Sequence, residues 1–185
     1  MGLLGTEGKK IAGILSRVEK ETDFGDAEKL ALRFPGISEQ VIARFQQSSI
    51  SIAVSTILIR MYYATTLKRS ANSYFQNADS VNKGIYQYWQ EYYREQGYTN
   101  RDAKNTAKNV DISYLGRFIE FFVGFLRDKY PNSDEQPFPS EILDDFSVFC
   151  APIKDFCVKD FFAGESAAIP LIEDCITETV RLLSP

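Results

Sequence analysis

Apolar residues recur along this chain at the three- and four-residue intervals of an α-helix, and no segment shows the strict alternation of a strand. This spacing predicts a first helix over residues 7–21. Asp26 and Ser38 stand where helix N-caps belong, before two further helical segments that Pro35-Gly36 separates. The pattern predicts an all-α fold: a single helical bundle domain of seven to nine helices with one long central helix.

The candidate for the central helix lies between residues 39 and 77, where neither glycine nor proline occurs. This run predicts either one unusually long helix or two helices separated by a kink near Ser48-Ser49. Its middle is apolar on every face, which indicates that other helices surround it. The uncharged stretch 45–59 is shorter than the roughly 20 residues that a membrane-spanning helix needs, so we expect no membrane span.

Three segments follow in the second half of the main bundle. An aromatic-rich helix is predicted to begin at Asp79 or Ser80 and to end near Gly97. Thr99 and Asp102 form a capping box for the next segment, 100–109, which lacks large apolar side chains and is expected to be solvated. An amphipathic helix is then predicted over 112–129.

A proline-rich stretch, residues 131–140, predicts a linker between two parts of the domain. We therefore divide the chain into a main helical bundle over 1–130, the linker, and a C-terminal acidic trio of helices over 141–185 packed on the same core. The trio is predicted over 140–150, 152–162 and 170–183.

Composition removes many enzyme classes, because the chain contains no histidine. Serine–histidine triads, histidine zinc sites and histidine-containing di-iron sites are thereby excluded. Carboxylates, lysines, tyrosines and cysteines could replace histidine as acids and bases, but they form no recognisable constellation. We expect a non-enzymatic protein with no catalytic residues, no metal and no cofactor.

The three cysteines, Cys150, Cys157 and Cys175, all lie in the last third of the chain. Their odd number fits a reducing compartment better than a disulfide framework, and we interpret them as small buried hydrophobic residues. Because the N-terminus also lacks a signal-peptide pattern, we expect a cytoplasmic protein.

Charge is distributed unevenly around a net value of −4, because residues 131–185 contain 11 acidic and 3 basic side chains. A partner protein with a basic surface would relieve the repulsion among these carboxylates, and complementary charge also accelerates association. Two tyrosines of the aromatic helix could anchor the same partner. The predicted partner-binding residues are Asp144, Asp145, Asp155, Asp160, Glu165, Tyr88 and Tyr92. By analogy of class, this pattern predicts an inhibitor or adaptor comparable to a bacterial immunity protein.

One alternative function rests on the turn Gly36-Ile37-Ser38 between two short helices. The turn resembles that of bacterial one-component repressors, including the tetracycline-repressor family, over residues 26–47. The resemblance implies a dimeric transcriptional regulator whose helical bundle binds a small ligand and whose second helix reads DNA. That helix offers a single basic side chain, Arg44, whereas phosphate neutralisation needs several, so we expect no nucleic-acid partner.

A third alternative is a metal-dependent phosphohydrolase. Glu141 and Asp144 are three residues apart and would share one helix face, as paired carboxylates that bind Mg²⁺ do. No comparable E-x-x-[DE] pair lies on another strong helix, and a solvated acidic face explains the same residues.

Overall fold

A computed structural model describes residues 6–66, 71–129 and 146–183, and confirms that this part of the chain is all-α. Within these ranges it contains eight α-helices and no strand. The helices are α1 Thr6–Glu21, α2 Ala27–Arg33, α3 Glu39–Gln47, α4 Ile50–Thr66, α5 Ala71–Glu95, α6 Asn100–Lys129, α7 Cys150–Phe162 and α8 Ile169–Leu183. Short 3₁₀ turns, Phe146–Phe149 and Ser166–Ala168, precede α7 and α8.

Local capping residues begin the helices as the sequence predicts. The Asp26 carboxylate accepts the backbone N–H of Lys29 at 3.1 Å, which caps α2. The Ser38 hydroxyl accepts the N–H of Val41 at 3.3 Å at the start of α3. At α6, the Thr99 hydroxyl accepts the Asp102 N–H at 3.2 Å. Each cap satisfies a backbone donor that the first turn of a helix leaves free.

The candidate central helix is broken at Ser48-Ser49, where the two-helix alternative places the break, but its second helix α4 ends at Thr66 and residues 71–77 belong to α5. Ser49 adopts a left-handed backbone with φ of 49°, which ends the helical path. Its hydroxyl lies 2.8 Å from the Tyr92 hydroxyl, and the Tyr114 hydroxyl donates to the Ser48 carbonyl at 2.7 Å. Two tyrosines from α5 and α6 therefore hold the break in place.

The second of these helices, α4, forms the centre of the bundle. Every residue from 50 to 59 is buried, and α4 contacts α1, α3, α5, α6, α7 and α8. The longest of the eight described helices is instead α6, which has 30 residues and packs along α5. Length and central position thus belong to different helices.

Three predicted boundaries are wrong. In the described part of the helix predicted over 140–150, residues 146–149 form a 3₁₀ turn, and Cys150 already begins α7. The aromatic-rich helix α5 begins at Ala71 rather than at Asp79 or Ser80, because no glycine or proline between residues 71 and 79 interrupts it. The segment 100–109 is the first third of α6 and not a separate solvated piece. Ala103 and Ala107 are completely buried, so this segment packs against the bundle through small side chains, although we expected it to be solvated because it lacks large apolar ones.

The helices of the last third pack on the same hydrophobic cluster as the first six. The helix α8 contacts α4 and α1, and α7 contacts α4, α6 and α8. Cys157 and Cys175 are buried as predicted, and Cys150 is half-buried. The linker 131–140 lies outside the described residues, so the division into a main bundle and a C-terminal trio stays a prediction.

The helices α1 and α5 lie side by side and run in the same direction. The two backbones meet at Gly8, near the beginning of α1, and at Gly84, in the middle of α5, where a β-carbon on Gly84 would stand 2.7 Å from the Gly8 carbonyl oxygen. Only glycine permits this approach. Both helices therefore end on the same side of the bundle.

Candidate functional site

A groove of about 900 Å³ lies where the C-terminal ends of α1, α3 and α5 meet the beginning of α4. Its most distinctive lining is a set of tyrosine and glutamate side chains, and we call it the tyrosine–glutamate groove. These residues are Glu19, Tyr88, Glu91, Tyr92, Tyr93 and Glu95. Gln46, Gln47, Ser49 and Ser51 line the side formed by α3 and α4.

The sequence of α5 places its groove residues on one helical face. Tyr88, Glu91, Tyr92 and Glu95 follow one another at intervals of three or four residues, which brings their side chains onto neighbouring turns of the same side. The parallel packing of α1 on α5 then brings Glu19 to this face. The groove thus depends on two helices that are far apart in the sequence.

The electrostatics of the groove favour a cation. Three glutamates line it, and among the described lining residues Lys20 alone is positively charged. The C-terminal ends of three helices add partial negative charge, which the N-terminal end of α4 offsets only in part. The burial of Tyr88 and the nearby glutamates, Glu19 first among them, raise the pKa of its phenol, which keeps it neutral.

Glu19 is the most enclosed of the three carboxylates. It is half-buried and accepts a hydrogen bond from the Ser51 hydroxyl. Burial raises the pKa of the Glu19 carboxyl, and the Ser51 hydrogen bond acts in the opposite direction. Glu19, Glu91 and Glu95 form no ion pair with any residue that the structure describes.

Two enclosed carboxylates among the described residues are paired with arginine, whereas the half-buried Glu7 accepts a hydrogen bond from the Tyr63 hydroxyl. Asp111 is buried and receives Arg60 at 2.6 Å, and the half-buried Asp174 receives Arg33 at the same distance. Among the described residues, Glu19 has only the Ser51 hydroxyl as its partner, so a cation from another molecule would be stabilised beside it.

An aromatic cluster supports the groove from beneath. Trp89, completely buried, stacks on Tyr93 with ring centroids 5.9 Å apart and meets Tyr92 edge to face at 5.9 Å. Tyr93 in turn contacts Tyr98 at 5.3 Å. Because Tyr92 and Tyr93 both line the groove, a ligand bound there would alter the surroundings of the single tryptophan.

Of the predicted partner-binding residues, the structure brings Tyr88 and Tyr92 together in this groove. Asp155, Asp160 and Glu165 lie on or just after α7 and do not line it. The Asp160 carboxylate pairs with Arg117 at 2.5 Å. Asp144 and Asp145 lie outside the described residues.

Most other described acidic groups of the last third are also neutralised. Glu173 pairs with Lys154 at 3.2 Å, and Glu178 pairs with Arg181 at 2.8 Å. Only Asp155 and Glu165 in the range 146–183 are carboxylates without an ion pair to the described residues. The described surface of the last third therefore carries less unneutralised negative charge than the number of acidic residues in its sequence indicates.

Sequence reasoning missed Glu19, Glu91 and Glu95. The alternation of tyrosine and glutamate at 88, 91, 92 and 95 was a signal for the α5 part, because it places both residue types on one face. Glu19 had no comparable signal, since its position against α5 follows from tertiary packing.

The described residues that the DNA-binding and metal-dependent alternatives require do not form a second candidate site. On α3, Glu39, Gln40, Arg44 and Gln47 are exposed, which adds one negative and one positive charge to the surface. Glu141 and Asp144 lie outside the described residues. In the ranges that the structure covers, no group of three or more potential metal ligands occurs.

No family model, curated protein or solved structure matches this chain. In the described ranges, none of the helices combines the length and the apolar character needed to cross a membrane.

Proposed function

We propose that this protein is a non-enzymatic binding protein that receives a basic segment of a partner protein in the tyrosine–glutamate groove. The observation that carries the proposal is that three carboxylates without an ion pair to the described residues meet tyrosine rings in one concave site. A cytoplasmic inhibitor or adaptor, comparable in class to an immunity protein, is the role that fits this chemistry.

Tyrosine and glutamate serve different parts of such an interaction. Tyrosine rings give large contact areas at low entropic cost and attract cations over their faces. Carboxylates attract a basic partner from a distance and disfavour an acidic one. A site with both is suited to lysine or arginine side chains carried by a polypeptide.

The acidic last third remains the competing location for the same function. Asp155 and Glu165 are exposed and form no ion pair with the described residues, and the same holds for Glu91 and Glu95 in the groove. The groove is favoured because its carboxylates stand beside aromatic anchors in a concavity. Asp155 and Glu165 therefore provide a matched control set.

A nona-lysine peptide tests the proposal, with the fluorescence of Trp89 as readout. Removing two groove charges in Glu91→Gln/Glu95→Gln is expected to weaken binding about tenfold, equivalent to about 1.4 kcal/mol. Asp155→Asn/Glu165→Gln changes the net charge by the same amount at exposed positions elsewhere. It is expected to leave the affinity within about twofold, since distant exposed charges are screened by salt.

The reverse ranking of the two double variants would move the binding surface to α7 and contradict the proposal. Equal weakening in both would indicate attraction to overall negative charge and would contradict it as well. Circular dichroism of each variant checks that the helical content is unchanged.

A further inference from the structure

The carboxylate of Glu19 differs from the other two in the groove by its enclosure and by its hydrogen bond to Ser51. The Ser51 side chain is itself almost completely buried, at 5% exposure, and fixes one carboxylate oxygen of Glu19. The Tyr88 hydroxyl, which also lines the groove, has no hydrogen-bond partner among the described residues. The Glu19 carboxylate and the Tyr88 hydroxyl can therefore both accept hydrogen bonds from a ligand that lies against the Tyr88 ring.

We propose that the tyrosine–glutamate groove selects arginine over lysine in its partner segment, with Glu19 as the carboxylate that receives the guanidinium. This inference rests on the proposed function and names the side chain that the groove recognises. A guanidinium is planar, stacks on tyrosine rings and donates from several N–H groups to more than one acceptor. An ammonium is more strongly hydrated and lacks the planar face.

The chain itself binds one of its own arginines in the same chemical setting. Arg117 lies over the rings of Tyr114 and Phe161, at 5.1 and 5.6 Å from the ring centroids, and donates to Asp160 at 2.5 Å. An arginine held by aromatic faces and one carboxylate is thus an arrangement that this fold already stabilises.

Lysine and arginine also take different carboxylate partners within this chain. In the described ion pairs, the carboxylates that lysine neutralises are at least 39% exposed, and the carboxylates below 30% exposure all pair with arginine. The most enclosed ion pair, in which each side chain is 11% exposed, is formed by Arg60 and Asp111. A guanidinium is more weakly hydrated than an ammonium, so it loses less when it pairs with an enclosed carboxylate. Glu19 is an enclosed carboxylate and is therefore expected to favour arginine.

Two peptides of equal length and charge test the selectivity. One is nona-lysine, and the other carries arginine at its fifth position and lysine at the remaining eight. In the unmodified protein, the single arginine is expected to strengthen binding about tenfold, which corresponds to about 1.4 kcal/mol. The fluorescence of Trp89 reports both titrations.

Glu19→Gln is the decisive variant, because glutamine retains an acceptor for Ser51 and removes the charge. We expect it to abolish the preference for the arginine peptide, so that the variant binds the two peptides with equal affinity. Asp155→Asn/Glu165→Gln is expected to keep the tenfold preference. Thermal unfolding by circular dichroism checks that Glu19→Gln is folded.

Each outcome separates this inference from the proposed function. Equal affinity for the two peptides in the unmodified protein, with groove-dependent binding of both, overturns the selectivity and leaves the proposed function intact. If the preference for the arginine peptide survives in Glu19→Gln, residues other than Glu19 cause it, and the inference is overturned as well. Absence of groove-dependent binding by either peptide overturns both.

Discussion

Among single residues, Glu19 has a direct consequence for stability. Burial raises the pKa of its carboxyl in the folded state above the ordinary value of 4.5. The folded protein therefore holds this proton more tightly than the unfolded chain does. The resulting stabilisation is fully present below the unfolded pKa and is lost as the pH rises through the folded pKa.

We predict that Glu19→Gln removes this pH-dependent loss. Relative to the variant, the unmodified protein should become less stable as the pH rises through the interval above 4.5. Urea unfolding of both proteins at a series of pH values from acid to neutral measures the difference. A constant difference across the series would show that Glu19 titrates alike in the folded and unfolded states.

Gly84 is a second residue whose identity is set by geometry. A β-carbon there would stand 2.7 Å from the Gly8 carbonyl oxygen, so α1 and α5 would have to separate. We predict that Gly84→Ala lowers the free energy of unfolding by about 1–3 kcal/mol, as overpacking does. Urea unfolding measures this cost.

Gly13→Ala is the matched control on α1, where a β-carbon meets nothing within 4 Å. Alanine favours a helix over glycine, so this variant should gain about 0.5–1 kcal/mol. The same sign of change in both variants would contradict the close crossing of the two helices.

At the scale of elements, one ion pair ties three helices together. Arg60 of α4 donates to both carboxylate oxygens of Asp111 on α6, at 3.0 and 2.6 Å, and to the side chain of Asn82 on α5 at 3.0 Å. Both charged side chains are 11% exposed, so loss of either partner leaves a poorly solvated charge.

We predict that Asp111→Leu destabilises the protein by about 3 kcal/mol, because Arg60 loses its counter-charge in an enclosed position. The double variant Arg60→Met/Asp111→Leu should recover most of this loss, since both charges are absent. Urea unfolding of the single and double variants decides the point. A double variant as unstable as the single one would mean that packing, rather than charge burial, is lost.

The elements themselves were predictable to the extent that local chemistry defines them. The caps at Asp26 and Ser38 could be predicted from the residues next to them in the sequence, and the all-α class could be predicted from local spacing alone. The continuity of α6 depended on packing partners. Ala103 and Ala107 are good helix formers whose burial becomes visible only when α5 lies against them.

At the scale of the whole molecule, charge counted along the sequence differs from charge presented at the surface. Arg33 neutralises Asp174 from 141 positions away, and Arg117 neutralises Asp160 from another helix. No local pattern contains these pairs. Tyr88 and Tyr92 could be selected from the sequence as aromatic anchors, whereas their carboxylate neighbour Glu19 required the fold.

The location of the binding surface is the central claim, and backbone amide NMR during titration with nona-lysine tests it most directly. We predict that the largest shift changes fall in residues 16–25, 46–52 and 88–98, the segments that form the tyrosine–glutamate groove. Changes concentrated in residues 146–183, or spread evenly over the acidic side chains of the molecule, would contradict the account.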